Sequence, residues 1–183
     1  MKLSKVLYFG DFFASPIAIL VLAAIALAGR DYAAMGLWLI AVLAGICAWT
    51  LVEYLVHRFI YHVVPPFERY HDAHHKAPEE LIGAPSFLII GVILVIFFTP
   101  VLLAFGLVAA SGVASGALVG YYGYMLVHHA SHHFEPKPGS LLYEARLRHM
   151  AHHYHATPGN YGVITSFWDH VFGTRVERRR VRR

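Results

Sequence analysis

Long uncharged runs, separated by short polar breaks, organise the chain. Residues 12–29 contain no Asp, Glu, Lys or Arg, close to the roughly 20 residues that cross a hydrocarbon core. Lys2 and Lys5 ahead of this run, with Ala26 and Ala28 near its end, also fit a cleavable signal peptide. The run is long for an h-region and a second apolar run follows at once, so an uncleaved first span is the reading taken. Arg30-Asp31 makes a short break, and residues 32–52 again carry no charge. The same helix is expected to continue through Glu53, Tyr54 and His57 to about Tyr61, where Pro65-Pro66 stops it.

Residues 81–127 hold no Asp, Glu, Lys or Arg, a run too long for one crossing and long enough for two. A helical hairpin is expected, with its turn near Ala110-Ser111-Gly112 and a kink at Pro100. Gly112, Gly116 and Gly120 recur every fourth residue, which lets one helix face approach another closely. Further on, Ser140 predicts the N-cap of a helix through Glu144, Arg146, Arg148 and His149, broken at Thr157-Pro158-Gly159-Asn160. Residues 161–174 mix aromatic and polar side chains and read as interfacial. The predicted fold class is an all-α integral membrane protein, residues 1–183 forming a single domain. Its four transmembrane helices lie at about 12–29, 32–56, 85–108 and 112–127, under a cytoplasmic helical cap of residues 57–80 and 128–174 and a basic tail of 175–183.

Composition agrees with a membrane protein, since 57% apolar residues is too many for an ordinary soluble domain of this size. The single thiol, Cys47, lies in an apolar run and reads as a core residue, so there is no disulfide framework and no cysteine metal motif. A formal charge of +4 hints at nucleic acid until the basic residues are located, because six of the fifteen are arginines within 175–183. Membrane orientation explains them better, and no nucleic-acid partner is expected. With four spans, both termini, every histidine and fourteen of the fifteen Lys and Arg residues fall on one side, Arg30 being the exception. The positive-inside rule assigns that side to the cytoplasm.

The candidate chemistry is histidine. Residues 57–75 hold His57, His62, His71, His74 and His75, and positions i, i+3 and i+4 share a helix face. Two more clusters follow, at His128, His129, His132 and His133 and at His149, His152 and His153. One such cluster is weak evidence; three point to metal binding, and about ten imidazoles exceed what one ion uses. Two ions are implied. His57 and His62 are five apart, about 140° around a helix, so they are expected to flank the site or serve different ions. His128 and His132 share a face. Imidazole suits zinc, copper, iron and nickel alike. A zinc hydrolase needs an open position and a general acid or base, and Glu53, Asp72, Glu144 and Asp169 fit equally well as carboxylates orienting imidazole N–H groups. Iron with dioxygen needs no such pair and attacks unactivated C–H bonds, which makes a redox-active pair the first choice.

This series, continued by Asn160-Tyr161-Gly162-Val163 and Trp168-Asp169-x-x-Phe172-Gly173-Thr174, resembles the fatty acid hydroxylase and sterol desaturase superfamily of membrane non-haem di-iron enzymes. The resemblance covers residues 53–174. It implies a four-span base beneath a cytoplasmic dimetal centre that activates O2 to hydroxylate a fatty acyl or sterol-like lipid. Its ligands would be His57, His62, His71, His74, His75, His128, His132, His149, His152 and His153. His129 and His133 are extra to the family pattern and have the same spacing as His128 and His132; the latter register is kept. His155 and His170 fall outside the matching positions and read as surface residues or as supports for the ligating imidazoles, in preference to ligands. Trp168 reads as an interfacial tryptophan and Asp169 as a helix-capping or imidazole-orienting carboxylate.

Three rivals stay open. The chain also resembles carotenoid ring hydroxylases of the same superfamily, although its Trp168-to-Thr174 ending favours acyl or sterol-like lipids. A non-catalytic membrane metal-binding or transport protein would place ligands at mid-membrane, where these spans have almost none. A zinc hydrolase acting on lipid esters is the third, and no G-x-S-x-G motif supports a serine route. An oxygenase needs electrons, and the sequence has no haem, iron–sulfur or dinucleotide motif. The expected partners are therefore a lipid substrate, the membrane and a separate electron-donor protein. The arginines of 175–183 read as lipid-facing or orienting in preference to docking an acidic carrier.

Overall fold

A computed structural model describes residues 2–176; the basic-tail reading for residues beyond 176 lies outside them. The described residues are helical, with one isolated β-bridge between Lys2 and Ile82. The order is α1 (Lys5–Leu27), α2 (Tyr32–Leu55), a π-helical turn (Val56–Tyr61), α3 (Phe67–Lys76), α4 (Ser86–Ile93), a second π-helical turn (Leu94–Phe98), α5 (Thr99–His133), α6 (Leu141–Tyr154) and α7 (Phe167–Val171). Three helical stretches are long and apolar enough to cross a membrane: Lys5–Leu27, Tyr32–Tyr61 and Ser86–His133.

The third stretch runs 48 residues, and its one non-helical residue is Gly106, at φ 83° and ψ −179°. Only glycine adopts this conformation without strain. The break expected at Ala110-Ser111-Gly112 thus falls earlier. Those residues stay helical because they are used in packing: Ser111 accepts from Trp38 Nε1 at 3.0 Å and donates to the Leu22 carbonyl at 2.9 Å. Pro100, expected to kink the helix, lies two residues beyond the end of the second π-helical turn. There the Thr99 hydroxyl donates to the Leu94 carbonyl at 3.1 Å.

The described residues form two compact units. The first comprises residues up to Thr50 with Glu80–Gly123. In it the glycines spaced by four let α5 press against α2. A Cβ at Gly116 would lie 2.1 Å from the Val42 carbonyl oxygen, and one at Gly45 would lie 2.1 Å from that of Val113. Asp31 caps α2 by accepting from the Ala34 amide at 2.9 Å. Phe13, Ile17, Leu20, Leu39, Ile40, Leu103 and Phe105 point outward, the apolar exterior that lipid, not water, accommodates. Cys47, read from the sequence as a core residue, belongs to this outward surface, because the buried face of α2 is taken by the small-residue contact with α5.

The second unit comprises Leu51–Glu79 and residues 124–176. It holds the π-helical turn after α2, all of α3, the last turns of α5, then α6 and α7. As predicted, Ser140 caps α6, accepting from the Tyr143 amide at 3.2 Å. All fourteen histidines lie in this unit.

Candidate metal centre

Helix geometry decides where each imidazole goes. In a π-helix the hydrogen bonds run from i to i+5, so residues five apart line up. The turn at Val56–Tyr61 therefore brings His57 and His62 together, with rings 5.4 Å apart and 20° from parallel. This corrects the expectation that the pair would flank the site or serve different ions, which assumed α-helical geometry. On α3, His71 and His75 are one turn apart and face the same way, while the intervening His74 points to a different neighbour. α6 divides its histidines likewise, with His149 and His153 together and His152 apart.

Two convergent nitrogen sets result. His57, His62, His71 and His152 place ligating nitrogens within 4.8 Å of one another. His75 joins them, its Nε2 lying 3.0 Å from His71 Nε2 and 3.1 Å from His152 Nε2. The second set is His74, His128, His132, His149 and His153, again within 4.8 Å. Its closest Nε2 pairs are His132 with His149 at 2.8 Å, His74 with His128 at 3.0 Å, and His149 with His153 at 3.2 Å. Donors about 2.1 Å from one cation sit about 3.0–3.4 Å apart for right-angled to tetrahedral arrangements, so the spacing fits nitrogens gathered around an ion. His75 and His153 stack at 4.2 Å where the two sets adjoin.

Burial, and then the neighbouring imidazoles, depress the basicity of these rings. His74 is lowered to about 3 and His75 to about 4. His152 is brought to about 3 by burial, against the opposing bond from its Nδ1 to Gly159. His71, His149 and His153 are lowered further for the same reasons. Such imidazoles stay neutral at pH 7, the state that coordinates a metal.

The fatty acid hydroxylase family model matches residues 42–174, a span that includes all ten of these histidines. The chain belongs to the fatty acid hydroxylase family. The resemblance drawn from the histidine series is thereby borne out. Similar proteins include the Homo sapiens fatty acid 2-hydroxylase, 34% identical over 71% of this chain and 38% of that protein. The Arabidopsis thaliana dihydroceramide fatty acyl 2-hydroxylase FAH2 is 30% identical over 87% of this chain and 69% of its own length. The Schizosaccharomyces pombe ceramide very long chain fatty acid hydroxylase scs7 is 34% identical over 71% and 40% respectively. A solved structure of full-length scs7p, in which only the hydroxylase domain is visible, superposes with a TM-score of 0.76 at 25% identity, over 93% of this chain and 67% of that one. The chain spans about two fifths of the length of the mammalian relatives. Its three apolar stretches and these relatives mark this family member as a membrane protein.

Around the nitrogens, the loop after α6 supplies carbonyls that no helical spacing announces. His57 Nδ1 donates to Tyr161 O at 2.6 Å and His152 Nδ1 to Gly159 O at 2.9 Å. Each bond fixes the tautomer that leaves the Nε2 lone pair facing inward. His74, His149 and His153 have buried Nδ1 atoms with no protein partner among the described residues.

Glu53 and Asp169, expected to orient imidazoles or cap a helix, make their hydrogen bonds among the described residues to the loop after α6 and to Thr174. Glu53 Oε1 accepts from the amides of Val163 at 2.6 Å and Ile164 at 3.1 Å. Asp169 accepts from the amides of Tyr161 and Gly162, both at 2.9 Å, and from the Thr174 hydroxyl at 2.8 Å. Asp72 and Glu144 are exposed; the Asp72 charge partly opposes the lowering at His62 and His75.

His129 and His133 stack on each other at 4.3 Å and enter neither set. His155 is exposed and accepts from the Thr157 amide, and exposed His170 donates to the Ser166 carbonyl and meets Arg175. Trp168 stacks on Phe172 at 6.0 Å. In the sequence, residues 160–163 carry no signal beyond a family match. The signal for their role is a contact 104 residues along the chain, between His57 and Tyr161, which local periodicity does not reveal.

Proposed function

We propose that this chain is an O2-dependent membrane lipid hydroxylase in which ten of the fourteen histidines hold two metal ions, iron in the active form. The observation that carries the reading is the convergence of five Nε2 atoms on each of two adjoining points. When bound, a di-iron pair supplies the reductive activation of O2, in which one oxygen atom enters a C–H bond and the other leaves as water, at the expense of two electrons and two protons. A separate donor protein delivers those electrons. The chain's own residues keep the imidazoles neutral by burial, set the tautomers of His57 and His152 through the Tyr161 and Gly159 carbonyls, and fix ring directions by helix type.

The named activities of the relatives favour a fatty acyl chain, free or in a ceramide, as the substrate, oxidised at its 2-position. They also favour this substrate over a carotenoid ring. We further propose four crossing segments, the long stretch Ser86–His133 counting as two divided at Gly106. Both termini and the histidine centre then lie on the cytoplasmic side, in keeping with the positive-inside rule. The deciding experiment pairs metal analysis of the purified protein with lipid profiling of cells that overproduce it. About two irons per chain and a new 2-hydroxylated acyl species are expected. One zinc and an unchanged lipid profile would overturn the proposal.

A further inference from the structure

We infer that Glu53 and Asp169 are positioning residues that brace the loop of residues 159–164, and that the brace serves one metal position and not the other. The inference rests on the two-ion reading and adds an inequality between the ions.

Asn160 carries φ 56° and is 2% exposed. It is pinned through its own amide to Thr174 O at 2.9 Å, and its side chain pairs both ways with the backbone of Val176 at 3.0 Å. On either side of it stand the two carbonyls, Gly159 and Tyr161, that orient imidazoles. The next four amides, from Tyr161 to Ile164, are all taken by carboxylate oxygens, two by Asp169 and two by Glu53. Glu53 near the end of α2 and His57 in the π-helical turn that continues it are four residues apart, so one helix end grips the loop twice. Both imidazoles that the loop orients, His57 and His152, belong to the first nitrogen set. In the second set the buried Nδ1 atoms of His74, His149 and His153 have no protein partner among the described residues. Loosening the loop therefore releases ring orientation at the first position and leaves the second as it is.

The carboxylates differ in a way that makes the inference testable. Both oxygens of Asp169 accept N–H donors, so Asp169→Asn turns an NH2 toward an amide N–H. Glu53 uses only Oε1; Oε2 has no protein partner among the described residues, so Glu53→Gln keeps both bonds while Glu53→Ala loses them.

The test loads the full metal-free chain with ferrous iron under anaerobic conditions and counts ions by mass spectrometry, with circular dichroism reporting helix content. Wild type and Glu53→Gln are expected to take two ions, and Asp169→Asn and Glu53→Ala one, at unchanged helix content. Asp169→Asn combined with His152→Ala should still take one, whereas combined with His132→Ala it should take none. The Glu53 pair decides the matter alone if Asp169→Asn does not fold. Two ions in both Asp169→Asn and Glu53→Ala, or loss of both ions together, would overturn the inference while leaving the two-ion reading standing. A wild-type protein that takes fewer than two would defeat that reading and the inference with it.

Discussion

Acidifying the metal-free protein from pH 8 to pH 5 should destabilise it steeply. Among the groups responsible are His74 and His152, 5% and 8% exposed, which burial lowers to about 3 in the folded chain from an ordinary value of 6.5. Their folded values lie below the unfolded one, so between about pH 6.5 and 3 the unfolded chain binds more protons and stability falls with pH. By pH 5 the unfolded histidines have gained nearly a proton each while the folded ones stay neutral. Each then costs about 2 kcal/mol, about 4 kcal/mol for the pair. That is a large share of the roughly 5–15 kcal/mol that holds an ordinary domain together. For a chain of this size the share of this pair alone corresponds to a fall of about 8–16 °C in the unfolding midpoint. The assay is thermal unfolding of detergent-solubilised, metal-free protein by circular dichroism at half-unit steps of pH. Bound ions compete with protons for the same nitrogens, so the loaded protein should hold its midpoint to lower pH. A metal-free midpoint that stays level from pH 8 to pH 5 would refute the reasoning.

Other expectations follow from particular side chains. His132→Ala and His152→Ala should each lose one ion and all hydroxylation in metal and product assays, because each removes a nitrogen from a different set, while His170→Ala should keep both ions. Gly116→Val should sharply lower the yield of folded protein in size-exclusion profiles, since its Cβ meets the Val42 carbonyl at 2.1 Å. Gly106→Ala should cost about 1–3 kcal/mol of stability through backbone strain alone, read as a lowered unfolding midpoint. In a Cys47→Ser background, cysteine placed at Lys137 should react only with membrane-permeant reagent in intact cells, and cysteine at Arg30 with impermeant reagent too; the reverse pattern would invert the proposed orientation.

Much of this fold was legible because its signals are local. An uncharged run of spanning length needs no tertiary information, and the clusters at residues 71–75 and 149–153 announce their helix faces by spacing. The ten histidines named from the sequence are the ten that the structure gathers into two sets. Three things were hidden. The helix break was sought at polar Ser111, but that hydroxyl is spent on Trp38 and Leu22, and the one non-helical residue of α5 is the glycine whose dihedrals permit it. The pairing of His57 with His62 was missed because sequence does not display a π-helical turn. Glu53 read equally as a general acid or base or an imidazole-orienting carboxylate, and Asp169 also as a helix cap, whereas the partners found are mainly backbone amides of a loop, which carry no residue signature.

The π-helical turn has a wider bearing on how such proteins are compared. Four intervening residues on a π-helix and three on an α-helix deliver two imidazoles to the same place. The length of the gap and the winding of the backbone are thus one variable, not two. Removing a residue between His57 and His62 should let the turn relax to ordinary winding with both rings still aimed together, whereas adding one has no such escape. An insertion or deletion in this stretch has to be judged by where the rings end up, because counting letters alone would treat equivalent sites as different.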